Sequence, residues 1–152
     1  IQADAASRRG LIQVLGRMKL FSKKSATKPL DDLPFFVGVD LSDSFVRSWT
    51  VNEDCLLFQV DASLWPQNPH YAAPKPGEYT CYKSATLVFC GISNLNTPEQ
   101  DQIAAAYDSV EDGYDTIDCI SYDSRSVQWL IEVGSLKFSF SCSGVRFDIA
   151  AA

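Results

Sequence analysis

The stretch Leu136-Lys137-Phe138-Ser139-Phe140-Ser141-Cys142-Ser143-Gly144-Val145-Arg146-Phe147-Asp148-Ile149 places apolar residues at every second position on either side of a Ser-Gly step. Successive side chains of a strand project to opposite faces. The pattern therefore buries Leu136, Phe138, Phe140 and Cys142 and leaves Lys137, Ser139 and Ser141 in water. That is a half-buried antiparallel strand, and 145–149 repeats the alternation after a turn at Ser143-Gly144.

Reading outward, Val127–Val133 pairs with 136–142 as a hairpin across Gly134-Ser135, and Thr116–Tyr122 is a further strand. Residues 45–61 read as a second hairpin turning at Asn52-Glu53-Asp54, preceded by the apolar run 35–40. Tyr79–Ile92 is the longest strand-like segment and is expected to bend near Ser84-Ala85. Four prolines between positions 66 and 76 deny both helix and central strand, which makes 64–79 a long structured loop. Thr97 as N-cap, Pro98 in the first helical position and Gln100 three after the cap predict a short helix over 98–109. Leu11, Val14, Leu15 and Met18 fall at helical spacing with Arg8, Arg9 and Arg17 elsewhere around the axis, predicting an amphipathic helix over 3–20. Residues 22–34 read as a polar linker. The expected fold class is α+β: mainly an antiparallel β-sheet or sandwich of seven or eight strands, an N-terminal helix and one short helix.

Charge divides the chain. Residues 1–28 carry seven bases and one acid, whereas 29–152 carry six bases and eighteen acids. We read a basic N-terminal helix and linker (1–28) followed by one acidic β-rich domain (29–152). Met18-Lys19-Leu20-Phe21-Ser22-Lys23-Lys24 has the look of a natural bacterial start, so 1–17 read as a leader or upstream extension. An acidic body argues against nucleic acid, because phosphate neutralisation needs clustered Lys and Arg. It suits a basic protein partner, although acidic surfaces also serve solubility. No apolar run approaches the ~20 residues of a membrane span, and no membrane association is expected. The five cysteines are odd in number and mostly inside apolar runs. They read as reduced, buried thiols of a cytoplasmic protein.

Catalytic chemistry is hard to assemble from these residues. His70 is the only imidazole and lies in the proline-rich loop, with no nucleophile elbow in the chain. No glycine-rich phosphate loop occurs. An EF-hand register begun at Asp108 puts Val110 and Cys119 where oxygen ligands belong, and so fails. We therefore expect no catalytic residue, no metal and no cofactor. The dense acidic run Asp108, Glu111, Asp112, Asp115 and Asp118 reads as a solvated loop or as a face for a basic partner. Trp49 and Trp129 read as core. Trp65 and Tyr71, flanked by prolines, are candidate exposed anchors, with packing over a sheet edge as the plainer role.

The segment Tyr71-Ala72-Ala73-Pro74-Lys75-Pro76-Gly77-Glu78-Tyr79-Thr80-Cys81-Tyr82-Lys83, running into Leu87-Val88-Phe89, resembles small uncharacterised bacterial β-rich proteins. Some of these resemble immunity proteins of polymorphic toxin systems, and others look like products of mobile gene cassettes. The likeness spans roughly residues 36–149. It implies an α+β fold and a protein-binding role and carries over no site residue. The expectation is thus a non-enzymatic binding protein, an immunity-type inhibitor of a basic protein toxin. Two alternatives stand beside it. One is a small-ligand binder or enzyme with a pocket between the sheet and loop 64–79, where Arg47, Glu78 and Tyr82 would converge. The other is an oligomeric module, a homo-oligomer joined through the N-terminal helix.

Overall fold

The computed structural model describes the backbone of Thr27–Pro29 together with residues 36–123 and 125–150. The amphipathic helix expected over 3–20, and with it the helix-mediated oligomer, lies outside the described residues. Among those described there are nine strands and one helix: β1 Thr27–Pro29, β2 Val39–Val51, β3 Cys55–Leu64, β4 Cys81–Cys90, β5 Ser93–Asn96, α1 Gln100–Ala106, β6 Ile117–Asp123, β7 Gln128–Val133, β8 Leu136–Ser141 and β9 Gly144–Ile149. β1 places a short strand inside the stretch expected to be linker.

The strands form two antiparallel sheets, β1-β6-β7-β8-β5 and β2-β3-β4-β9. Alternation decides which side of each strand faces inward. Leu56, Phe58 and Val60 of β3, Leu87 and Phe89 of β4, Trp129 and Ile131 of β7, and Leu136, Phe138 and Phe140 of β8 are all buried. Their rings interlock at tilted and edge-on angles, with Phe58–Phe138 centroids 5.1 Å apart, Phe89–Phe140 4.8 Å and Phe89–Trp129 5.2 Å. Such contacts add to plain burial because the edge of one ring meets the electron-rich face of the next. Trp129 is core as expected, whereas Trp49 is only partly buried and packs against Tyr114 and Phe138.

The two sheets are joined along both edges. On one side Phe45 of β2 bridges Thr116, the Val46 amide donates to the Asp115 carbonyl at 3.1 Å, and the Tyr114 amide donates to the Val46 carbonyl at 2.9 Å. On the other, β4 runs through Gly91 into β5 while β8 runs through Cys142-Ser143 into β9, and the Ser143 amide donates to the Cys90 carbonyl at 2.9 Å. Both chains thus cross from one sheet to the other at the same corner. The Ser143-Gly144 step is not a hairpin turn: β9 pairs with β4, not with β8. β2, β3 and β4 are neighbours in chain order within their sheet, and β6 of the other sheet lies beside β2 at the seam.

Two boundaries move. The β3–β4 ladder runs without a register shift from Cys55↔Cys90 to Leu64↔Cys81, so pairing is unbroken through Ser84-Ala85. The chain turns instead at Gly91, whose φ of +69° is cheap for glycine alone. Helix α1 is shorter than expected and starts two residues later. Glu99, not Thr97, is the N-cap, and it forms a reciprocal capping box with Gln102.

Candidate functional site

The strongest concavity lies in the seam between β2 and β6. These strands touch at the Phe45–Thr116 bridge and then diverge. Residues 39–42 of β2 and 117–120 of β6 face one another across a cleft of about 780 Å³. Phe36, Val39, Leu41, Ile117 and Ile120 are buried and give it an apolar floor. At the mouth, Trp65 and Val37 are about half exposed, at 52% and 51%. Among the described lining residues the charged groups are both acids, Asp40 and Asp118, and none is a base. The Ser42 hydroxyl donates to Asp40 Oδ1 at 2.7 Å and fixes that carboxylate at the cleft wall.

Loop 65–80 is held over the cleft by backbone geometry and one side chain. The Trp65 amide donates to the Gly38 carbonyl at 2.8 Å. Gly38 has φ of +67°, and a Cβ there would lie 2.4 Å from the Asn68 nitrogen, so only glycine permits this approach. Asn68, 6% exposed, donates from Nδ2 to the Val37 carbonyl at 2.8 Å. Its Oδ1 accepts from the His70 amide, also at 2.8 Å. Asn68 itself is buried, and these two bonds satisfy both ends of its side-chain amide. His70 is exposed on the same loop. Tyr71 is half-buried and packs against the core, whereas Trp65 presents its ring to solvent.

Beyond Ser42, outside the cleft lining, stands a further carboxylate, Asp43. The Tyr82 hydroxyl donates to Asp43 Oδ2 at 3.2 Å, and Tyr79, 77% exposed, stacks edge-on to Tyr82 with centroids 6.2 Å apart. Hydrogen bonding to Asp43 holds the Tyr79 hydroxyl above the ordinary phenol range. Tyr82 is pushed up chiefly by burial, then by its bond to Tyr79 and the nearby Asp43 charge. Both phenols therefore remain neutral donors at neutral pH.

The acidic run singled out in the sequence divides between two places. Asp108 closes the turn 108–113: its Oδ1 accepts from the Val110 amide at 2.9 Å and the Glu111 amide at 3.3 Å. Asp112 accepts from the Tyr107 hydroxyl, and Asp115 Oδ1 accepts from the Thr116 amide at 2.8 Å. Three of these carboxylates thus serve their own backbone or a neighbouring phenol, as short acidic side chains in turns often do. Glu111 is exposed at the tip, and Asp118 alone of the five lines the cleft. Arg47 is not a cleft residue. Its guanidinium pairs with Asp61 at 2.5 Å and donates to the Glu111 carbonyl, tying the 108–113 turn to the outside of β2. Glu78 and Tyr82 do not line the cleft either. Asp40 and Asp43 were missed in the sequence, being isolated acids in an apolar run.

The thiols are free. Cys81 is buried, and Cys55, Cys90, Cys119 and Cys142 are only partly covered, so the expectation of buried thiols holds for one of the five. Among the described residues no cluster of His, Cys, Asp or Glu is arranged to hold a metal ion, and no helix is long and apolar enough to cross a membrane. Comparison with protein-family models, with curated proteins and with solved structures finds no match to this chain.

Proposed function

We propose that the protein is a non-enzymatic binding protein that docks a basic protein partner through the β2–β6 cleft and the carboxylates beside it. In its specific form the partner is a cationic toxin and this chain its immunity-type inhibitor. One observation carries the reading: an apolar floor, a half-exposed tryptophan at the mouth, and Asp40 and Asp118 as the charged lining groups. A lysine or arginine side chain matches that combination, since its aliphatic stem covers apolar surface while its charged head reaches a carboxylate. Trp65 adds a ring face for a cation and a rigid anchor of the type that dominates interface energies.

The full chain is titrated with an arginine-rich peptide by calorimetry, with a glutamate-rich peptide of equal length as control. Binding of the basic peptide should weaken as salt rises. Asp118→Asn and Asp40→Asn should each weaken it by roughly two- to fivefold, the scale of an exposed ion pair. Trp65→Ala should weaken it further. Indifference to all three substitutions, or equal binding of the acidic peptide, overturns the reading.

The volume of the cleft also suits a small ligand, since such sites span roughly 300–1,000 Å³. That second reading requires a compound that competes with the peptide and whose affinity is insensitive to salt.

A further inference from the structure

Cys55 and Cys90 are direct cross-strand partners in the β3–β4 ladder. Inward positions of β3 are Leu56, Phe58 and Val60, and those of β4 are Leu87 and Phe89, so alternation sends both thiols to the outer face of the sheet. Both are partly exposed. The next outward pair in this ladder, Leu57↔Val88, walls them on one side. Across β4, the register partner of Cys90 on β9 is Gly144, which has no side chain to cover the sulfur.

We propose that Cys55 and Cys90 form an oxidisable dithiol that a peroxide-class oxidant closes into a cross-strand disulfide. Directly opposed antiparallel residues have Cα atoms about 4.5 or 5.5 Å apart, depending on their place in the hydrogen-bond pattern. Both values fall inside the roughly 4.4–6.8 Å that a disulfide spans, so closure needs side-chain rotation and no movement of the strands. Burial, and then the neighbouring Cys55 thiol, pushes the Cys90 thiol up to about 11. Cys90 thus stays protonated at neutral pH, and the first attack falls to Cys55. The Cys55 thiolate attacks a peroxide oxygen and breaks the O–O bond. The departing hydroxide takes a proton to become water, leaving Cys55 as the sulfenic acid. The Cys90 sulfur then attacks the Cys55 sulfur. The S–O bond breaks, and a second water leaves with the proton of Cys90. Two thiols are oxidised by two electrons and one peroxide is reduced to two waters.

The other thiols are poorly placed to compete. Cys142 follows the end of β8 and packs against the core, whereas Cys90 is the direct ladder partner of Cys55. Cys81 is in the core, and Cys119 lies in the cleft between β2 and β6.

The test treats the full chain with hydrogen peroxide, blocks remaining thiols with an alkylating reagent without reduction, and maps the peptides by mass spectrometry. The expected result is a monomer lacking two hydrogens, with two fewer alkylated cysteines and the Cys55 and Cys90 peptides joined. Cys142→Ser should leave this product unchanged, and Cys55→Ser should abolish it. Five alkylated cysteines after treatment, a bridge that includes Cys142, or a bridge between two chains overturns the proposal. The map of the unsubstituted protein decides the matter even if a variant fails to fold.

Discussion

Asn68 determines where Trp65 stands. One buried side chain satisfies the Val37 carbonyl and the His70 amide, and so locks the proline-rich loop to the start of β2. Asn68→Ala removes the side-chain partner of both groups, and the net loss is about 0.5–1.5 kcal/mol per hydrogen bond. Chemical denaturation should read a destabilisation of that size, and the cleft should bind the basic peptide less well because its tryptophan is no longer positioned. Unchanged stability would show that water replaces the amide. The sequence could show that four prolines make an ordered loop, and it could mark Trp65 as an anchor. It could not show Asn68, because the carbonyl that needs it lies 31 positions away. The same holds for Asp118. In the sequence it is one member of an acidic run, and only the cleft wall separates it from Asp108 and Asp112, whose carboxylates serve their own turn and a neighbouring phenol.

The strands were legible wherever one face is wet and one dry, as in β8 and β9, because alternation records burial directly. Elements whose limits depend on neighbours were not. Thr97 and Glu99 can both cap a helix. The pairing of Asn96 with Ser139 carries extended backbone as far as the end of β5, and this holds Thr97-Pro98 in the connection. The corner is a clearer case. Gly91 and Ser143 meet where two strands change sheets, and a Cβ on Gly91 would lie 1.9 Å from the Ser143 hydroxyl oxygen. Gly91→Ala therefore combines an unfavourable positive φ, costing about 1–2 kcal/mol, with a steric clash. The denaturation midpoint should fall accordingly, and Ser143→Gly in the same chain should recover the steric part only. Full recovery would mean the backbone conformation carries no strain.

That corner is one of the two places where the sheets are joined. Cys90 and Cys142 both lie there with thiols raised by burial, to about 11 and about 12 from an ordinary 9.0. A folded-state pKa above the unfolded one stabilises the fold fully below the unfolded value and is lost as pH rises through the folded value. The protein should therefore keep its stability to about pH 9 and lose it progressively above, as the thiols of the unfolded chain ionise before those of the folded one. Denaturant titrations of the reduced protein across this range should show that decline, and Cys142→Ala should flatten it. An undiminished slope in that variant would place the sensitivity on the tyrosines instead.

Local periodicity and composition were enough to specify the antiparallel class, the two apolar faces and an acidic body, because each is a property of residues a few positions apart. The union of the sheets, the cleft at the seam of β2 and β6, and the pairing of Cys55 with Cys90 follow from register between strands distant in the chain. Register is decided by which buried faces fill one another once the chain has closed, and that information is not local.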